Sequence, residues 1–139
     1  MNALLFCLVV AVSDGDTLKA RCGEPGAYEQ VTIRLAEIDA PEKHQPFGEA
    51  SRQNLAALCF RKIASIKPTS TDRYGRTVAR VECDGHDASA YLARSGMAWA
   101  FTRYLTDMEI KRMEEAARTA RVGLWKDRNP IPPWEWRRR

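Results

Sequence analysis

The alternation of apolar and polar residues predicts three short strands in the N-terminal part of the chain. Ala3 to Val12 is a continuous apolar run of strand length, and the turn signal Asp14-Gly15 follows it. Thr17 to Cys22 is a second short strand, because glycine and proline residues break the chain directly after it. From Val31 to Leu35 apolar and polar positions alternate, which places Arg34 on the face opposite the apolar side chains.

The central part of the chain predicts a helix, a second hairpin and a shorter helix. Pro46 to Arg61 carries apolar residues at helical spacing, and Ile63 to Ile66 has the composition of a strand. Asp72 to Gly75 is a turn signal, and its return strand, Thr77 to Cys83, places alternate apolar residues on one face. Asp87 to Ser95 predicts a short helix that the following glycine ends.

The pattern predicts that the last helix begins at Thr106, whose capping-box partner is Glu109. Its apolar stripe consists of Ile110, Met113, Ala117 and Ala120. The segment from Asn129 to Trp136 is too rich in proline for a helix, so we expect a tail laid along the surface. Short strands with a helix between the third and fourth, followed by two helices, predict an α+β domain built on a small barrel.

Composition limits the class of protein without selecting a function. Among the 139 residues, glycine, proline and charge are too ordinary for a collagen-like, low-complexity or disordered chain. No stretch approaches the roughly 18 apolar residues that span a bilayer. The formal net charge of +4 comes entirely from residues 101–139. A basic tail that ends in Arg137, Arg138 and Arg139 is compatible with polyanion binding, yet many solvated tails have this composition.

Counting residues outward from a predicted hairpin turn indicates which cysteines lie opposite one another. A first hairpin centred on Asp14-Gly15 places Cys7 opposite Cys22. Because antiparallel neighbours bring their β-carbons close to disulfide distance, we predict that these two residues form a bridge. The apolar N-terminal run also fits a secretory signal, but no Lys or Arg precedes it, so we favour a strand with any export signal lying upstream in a longer precursor.

The second hairpin gives the other pairing. If Ile66 and Thr77 flank its turn, Cys83 lies beside Cys59, and we predict a bridge between these two. Two disulfides favour a location outside the cytoplasm, in the periplasm or as a secreted protein. The alternative is a cytoplasmic protein with four reduced thiols in its core.

Carboxylates near strand ends are the strongest candidates for chemistry. The histidines and scattered cysteines lack the spacing of a zinc site, and the chain has no glycine-rich phosphate loop or Gly-x-Ser-x-Gly elbow. The remaining candidate ligands are carboxylate oxygen atoms, which hard cations such as calcium and magnesium prefer. Taken singly, each carboxylate also has an ordinary structural role in a turn or a strand exit. The candidates are Asp14, Asp16, Glu37, Asp39 and Glu42.

Ordered motifs make the chain resemble the thermonuclease family, whose members contain the staphylococcal nuclease-like domain. They are Asp14-Gly15-Asp16-Thr17, Ile33-Arg34-Leu35 through Ile38-Asp39-Ala40-Pro41-Glu42, and Asp72-Arg73-Tyr74-Gly75-Arg76. The resemblance covers about residues 4–127 and leaves 128–139 as a tail rich in Pro, Trp and Arg. It implies an OB-fold, a five-stranded β-barrel with three helices, which agrees with the strands and helices predicted from the pattern.

The resemblance also implies which residues act. It places one calcium ion on the carboxylates of Asp16 and Asp39 and on the backbone carbonyl of Ala40, which lacks the hydroxyl of the family's threonine. It assigns catalysis to Arg34, Glu42 and Arg76. Tyr74 and Tyr104 are implied to bind the substrate nucleotide.

The implied function is a metal-dependent phosphodiesterase that hydrolyses DNA, RNA or both and releases 3′-phosphorylated products. A phosphodiester repels hydroxide, so hydrolysis needs a cation, permanently charged arginines and a base, for which Glu42 is the candidate. A non-catalytic OB-fold nucleic-acid-binding module is the alternative, although such a module would be free to lose the carboxylates and arginines present here. No stable protein partner is implied, and we expect a monomer.

Overall fold

The structure is a computed structural model that describes residues 4–139. Ala3, the first residue of the predicted N-terminal strand, lies outside the described residues. The elements in chain order are β1 (Leu5–Asp14), β2 (Thr17–Cys22), β3 (Glu29–Leu35), β4 (Ile38–Asp39), α1 (Gly48–Cys59), β5 (Ile63–Thr71), β6 (Thr77–Cys83), β7 (His86–Asp87), α2 (Ala88–Arg94), β8 (Trp99–Ala100), α3 (Met108–Ala120) and α4 (Pro133–Trp136). Short 3-10 turns lie at Thr102–Tyr104 and Gly123–Lys126.

The strands β1, β2, β3, β5 and β6 form a closed barrel. They are hydrogen-bonded in the order β3-β2-β1-β5-β6, with antiparallel pairing throughout. The barrel closes where β3 and β6 pair in parallel, with Ile33 opposite Thr77. Apolar residues at alternate strand positions fill the interior, while Arg34 lies on the outer face of β3 as predicted. The predicted OB-fold, a five-stranded barrel with helices, is confirmed.

The disulfide Cys7–Cys22 confirms the predicted pairing across the first hairpin. The turn lies one residue later than predicted, because Asp14 pairs with Thr17. Two register shifts in β1 compensate, so that Leu8 lies opposite Arg21 and the two cysteines meet. The pairing is therefore right although the predicted centre of the turn is wrong.

The disulfide Cys59–Cys83 confirms the second predicted pairing, although the predicted register is wrong. β5 continues past Ile66 to Thr71, and Ile66 pairs with Val81 instead of Thr77. Cys59 is the last residue of α1, and Cys83 contacts it from β6. Both residues are fully buried. Two disulfides are compatible with an oxidising compartment outside the cytoplasm.

The helix α3 differs from the prediction in its N-terminal cap and in its buried stripe. Asp107, not Thr106, caps it, since the carboxylate of Asp107 accepts a hydrogen bond from the N–H of Glu109. Its buried stripe includes Glu114, whereas Ala120 is exposed. Glu114 is tolerated there because backbone and lysine donors satisfy its carboxylate. No helix in the described part of the chain is long and apolar enough to cross a membrane.

The C-terminal tail, residues 129–139, lies on the domain as predicted, but part of it is helical. The short helix α4 tolerates its one proline because Pro133 occupies the first helical position, where no N–H is needed. Pro133 is buried, and the ring of Trp134 stacks on that of Phe101 with centroids 5.6 Å apart. An aromatic contact thus fixes the tail to the domain.

Glu37, one of the candidate carboxylates, holds elements of the fold together. Its carboxylate accepts hydrogen bonds from the backbone N–H groups of Thr106 and Asp107, at 2.6 and 2.5 Å, at the start of α3. Arg80 donates to it at 2.8 Å. Partial burial alone would raise the pKa of Glu37, but the hydrogen bonds and the charge of Arg80 outweigh it and hold the pKa below its ordinary value.

We expect Glu37→Gln to lower the free energy of unfolding by about 1 to 3 kcal/mol near neutral pH, the usual worth of charge-assisted hydrogen bonds. Because the folded-state pKa is lowered, this stability is present above the ordinary value of 4.5 and is lost as pH falls through the folded-state pKa. Urea denaturation should therefore show a larger difference at about pH 7 than at about pH 3.

The matched control for this prediction is Glu109→Gln. Within residues 4–139 the one ion pair of Glu109 is with Arg112, and both side chains are largely exposed, at 49% and 75%. This substitution should change stability by less than about 0.5 kcal/mol. A loss for Glu37→Gln that is equal at both pH values would contradict the role assigned to its charge.

Candidate active site

Two buried carboxylates form the centre of the candidate site. Asp16 lies in the turn between β1 and β2, and Asp39 is the last residue of β4. Their residues are 7% and 1% exposed. The backbone N–H of Ala40 donates to Asp16 Oδ2 at 2.8 Å, which ties the turn to the end of β4. The structure therefore brings together the three residues predicted to bind a metal.

Gly15 allows the turn between β1 and β2 to approach the rest of the site. A Cβ atom on Gly15 would lie 1.8 Å from Ser51 Oγ and 3.0 Å from the Cβ of Ala40. Ser51 is fixed, because it is fully buried on α1 and donates to the carbonyl of Met97 at 2.7 Å. A larger residue before Asp16 would therefore push the turn away from α1.

Arg34 lies beside the acidic pair. Its Nη2 atom is 3.3 Å from Asp39 Oδ1 and 3.5 Å from Asp16 Oδ2. Its Nη1 atom donates to the carbonyls of Leu35 and Ile38, at 2.7 and 2.9 Å. Because these bonds fix the guanidinium and its side chain is only 12% exposed, its charge is held in a defined position at the site.

Glu42 lies at the solvent-facing edge of the site. Its side chain is 34% exposed, in contrast to the fully buried Asp39. The backbone N–H of Glu42 donates to the side-chain oxygen of Gln45 at 3.0 Å, and Gln45 is itself buried. The backbone is therefore fixed while the carboxylate still reaches water, which suits a residue that accepts a proton from water.

Arg137 is part of the site, although no sequence pattern places it there. Its Nη1 and Nη2 atoms donate to Oδ1 and Oδ2 of Asp39 at 3.2 and 2.7 Å. Nη1 also donates to Glu42 Oε1 at 2.5 Å. Composition marks the tail as basic, but nothing in it indicates a partner 98 residues earlier in the chain.

The site carries more negative charge than its arginines neutralise. Burial raises the pKa of Asp39; the hydrogen bond from Arg137 opposes this shift, and the charge of Asp16 adds to it. Burial likewise raises the pKa of Asp14, and the charges of Asp16 and Glu42 increase the effect. Four carboxylates, those of Asp14, Asp16, Asp39 and Glu42, thus lie near two guanidinium groups, those of Arg34 and Arg137.

Arg76 and Tyr74 lie in the adjacent turn between β5 and β6. Because Val78 of β6 pairs with Arg34 of β3, closure of the barrel brings this turn to the Arg34 side of the sheet. Arg76 Nε donates to Asp72 Oδ2 at 2.7 Å, and the guanidinium lies 5.4 Å from the centre of the Tyr74 ring, which is 68% exposed. Among residues 4–139 Arg76 makes no ion pair with the acidic cluster, so its catalytic role stays a prediction.

Tyr104 lies in a different segment, the 3-10 turn after β8. It is 59% exposed, and its ring contacts that of Phe101 edge to face with centroids 5.2 Å apart. Phe101 in turn stacks on Trp134. A nucleotide bound at Tyr104 would therefore lie next to the C-terminal tail.

The donor set suits a hard cation that keeps much of its water. In the described part of the chain no three acidic, histidine or cysteine side chains converge closely enough to hold a metal ion. Asp16, Asp39 and the carbonyl of Ala40 would supply only oxygen atoms and leave the remaining positions to water. Calcium accepts such a flexible oxygen shell, whereas zinc favours nitrogen and sulfur ligands.

A closed five-stranded barrel with a buried carboxylate pair and an adjacent fixed arginine has the features of an OB-fold enzyme that hydrolyses phosphodiesters. Residues 32–127 match the family described as "Staphylococcal nuclease homologue". The chain belongs to the staphylococcal nuclease family. The resemblance predicted from the sequence motifs is thus confirmed.

Relatives with nuclease names match most of the chain. An "Uncharacterized endonuclease" of Haemophilus influenzae is 42% identical over 132 residues, which cover 95% of this chain and 72% of the relative. A "Micrococcal nuclease" of Shigella flexneri is 38% identical over 141 residues, covering 94% of this chain and 79% of the relative. A staphylococcal-like nuclease of Arabidopsis thaliana is 37% identical over 106 residues, covering 76% of this chain and 33% of the relative.

Proposed function

We propose that the protein is a calcium-dependent nuclease that hydrolyses phosphodiester bonds of DNA and RNA at the acidic pair of Asp16 and Asp39. One observation carries the proposal: a buried carboxylate pair lies beside a fixed arginine and a water-accessible carboxylate, Glu42. Membership of the staphylococcal nuclease family supports phosphodiester hydrolysis. The oxygen-only donor set supports calcium.

The residues around Asp16 and Asp39 have separate roles in the proposed reaction. Glu42 accepts a proton from the attacking water as the new bond to phosphorus forms. Arg34 and Arg76 donate hydrogen bonds to the phosphate oxygens, and this stabilises the additional charge of the five-coordinate state. Asp16, Asp39 and the Ala40 carbonyl would hold calcium, which would supply the positive charge that neutralises the phosphate. The bond to the 5′ oxygen then breaks and this oxygen takes a proton from solvent water, which leaves a 3′-phosphate on one product and a 5′-hydroxyl on the other.

Both DNA and RNA are proposed as substrates. The groups at the site act on the phosphate, which the two polymers share, and none of them requires a 2′-hydroxyl. The exposed rings of Tyr74 and Tyr104 offer surfaces on which bases of either polymer can stack. We expect little preference for sequence.

The proposal is tested by digesting 5′-labelled single-stranded DNA, duplex DNA and RNA in calcium and analysing the new ends. All three substrates should be cut, and phosphatase treatment should reduce the mobility of the labelled products, because a 3′-phosphate is removed. Products with a 3′-hydroxyl would show that the other phosphorus–oxygen bond breaks. A protein that binds all three polymers without cutting them would be the non-catalytic binding module.

We also propose that the protein acts as a monomer outside the cytoplasm. Its two disulfides would persist in the periplasm or the extracellular medium, where thiols are oxidised. A nuclease stored among cytoplasmic nucleic acids would also endanger the cell, so export and calcium dependence are consistent with one another.

A further inference from the structure

The C-terminal tail crosses the candidate site and places a guanidinium on its acidic pair. Arg137 directly follows the helix α4, and its side chain reaches both oxygens of Asp39. Arg34 contacts Oδ1 of the same carboxylate at 3.3 Å. Both oxygens of Asp39 are therefore occupied by protein donors, although this carboxylate is a proposed calcium ligand.

The position of the tail is fixed at two further points. Gln45 Nε2 donates to the carbonyl of Ile131 at 2.6 Å, and the same side chain accepts a hydrogen bond from the backbone of Glu42. The ring of Trp134 packs between two aromatic neighbours, with its centroid 5.6 Å from that of Phe101 and 5.6 Å from that of Trp99. One buried glutamine thus connects the tail directly to the loop that carries the proposed base.

The contact is specific to one of the three terminal arginines. Arg138 and Arg139 are exposed, and in the described part of the chain neither side chain makes an ion pair. Of these three arginines, Arg137 is the one whose described contacts reach the acidic cluster, through the paired hydrogen bonds that a guanidinium makes to a carboxylate. General attraction between a basic tail and an acidic site would not select a single residue in this way.

We propose that residues 129–139 form a self-inhibitory strap, in which Arg137 competes with calcium for Asp39 and must leave before calcium binds. This inference rests on the calcium site proposed above. If the strap is docked most of the time, the apparent affinity for calcium is reduced in proportion to the small fraction of molecules with a free site. The doubly charged ion still displaces the singly charged guanidinium at sufficient concentration, so the tail sets the calcium concentration at which the site fills.

Calorimetric titration of calcium into the metal-free, full-length protein tests the strap. Arg137→Ala should bind calcium at least about tenfold more tightly than the wild type, because the competitor is gone. Arg138→Ala removes the same charge from the neighbouring position and should bind within about twofold of the wild type. Equal affinity in all three proteins would overturn the strap while leaving the calcium site intact.

Arg137→Lys separates competition by paired hydrogen bonds from simple repulsion between charges. Lysine keeps the positive charge but cannot donate to both carboxylate oxygens in a fixed plane. The strap predicts calcium binding that is clearly tighter than in the wild type, whereas simple charge repulsion predicts wild-type affinity. Wild-type affinity for Arg137→Lys would overturn the paired contact as the inhibitory element.

Trp134→Ala provides a second variant that leaves every residue around the carboxylates unchanged. It removes the stacking on Phe101, so the strap should dissociate more often and calcium should bind more tightly. This variant carries the test if Arg137→Ala does not fold.

Weaker calcium binding in Arg137→Ala or Trp134→Ala would overturn the strap, because it would show that the tail supports the site. Failure of every variant and of the wild type to bind calcium would overturn the proposed calcium site, and the strap with it.

Discussion

Glu42→Gln is expected to lower the turnover number on single-stranded DNA by at least about 10². Glutamine has the same size and still forms hydrogen bonds, but it does not accept the proton of the attacking water. The fold should be retained, because the side chain is partly exposed and the backbone hydrogen bond to Gln45 does not depend on it. Calcium should still bind through Asp16 and Asp39.

Steady-state kinetics and calcium calorimetry on the same preparation check this result. Glu49→Gln is the matched control, since Glu49 is an exposed carboxylate on α1 whose hydrogen-bond partners are Arg52 and Gln53 on the same helix. Its turnover number should lie within about twofold of the wild type. A folded Glu42→Gln protein with near wild-type turnover would remove Glu42 from the mechanism.

Arg76→Ala is expected to lower the turnover number by about 10² to 10³, which is the usual effect of removing one preorganised donor to a developing charge. The Michaelis constant should rise less, because the arginine acts more on the transition state than on bound substrate. The turn should remain intact, since Asp72 still accepts hydrogen bonds at 2.9 Å from two backbone N–H groups, those of Tyr74 and residue 76.

Arg73→Ala is the control for this second prediction. Arg73 lies in the same turn, with its guanidinium 5.1 Å from the centre of the Tyr74 ring, and it makes no ion pair among the described residues. Its removal should leave the turnover number within about threefold of the wild type. Equal losses in Arg73→Ala and Arg76→Ala would show that the turn contributes only general positive charge.

Local patterns place Asp16 and Asp39 among five candidate carboxylates at turns and strand ends, and the family resemblance singles out these two. Asp16 follows a turn signal, Asp39 follows a strand whose alternation is clear, and closure of the barrel brings these ends together. The Cys7–Cys22 pairing was accessible for the same reason, whereas the Cys59–Cys83 pairing came from a register that the structure does not have. Strand alternation constrains partners over short distances even where bulges move the turn by one residue.

Features that depend on tertiary contacts could not be predicted in this way. Arg137 reaches Asp39 only because α4 and Trp134 dock on the domain, and no local pattern encodes that packing. The cap of α3 moved to Asp107 because Glu37, on a distant strand connection, binds the N–H groups that precede the helix. A rule based on neighbouring residues predicts the capping box, but it does not include a competing acceptor such as Glu37, which is distant in the sequence.

The most direct test of the central claim, that calcium at the acidic pair drives phosphodiester hydrolysis, is a single digestion time course. Metal-free protein is mixed with single-stranded DNA and excess magnesium, calcium is added, and a calcium-selective chelator is added later while acid-soluble nucleotides are measured. We predict that rapid release begins with calcium and stops with the chelator although magnesium remains. Digestion that continues unchanged after the chelator, or DNA that is bound but never cut, would contradict the claim.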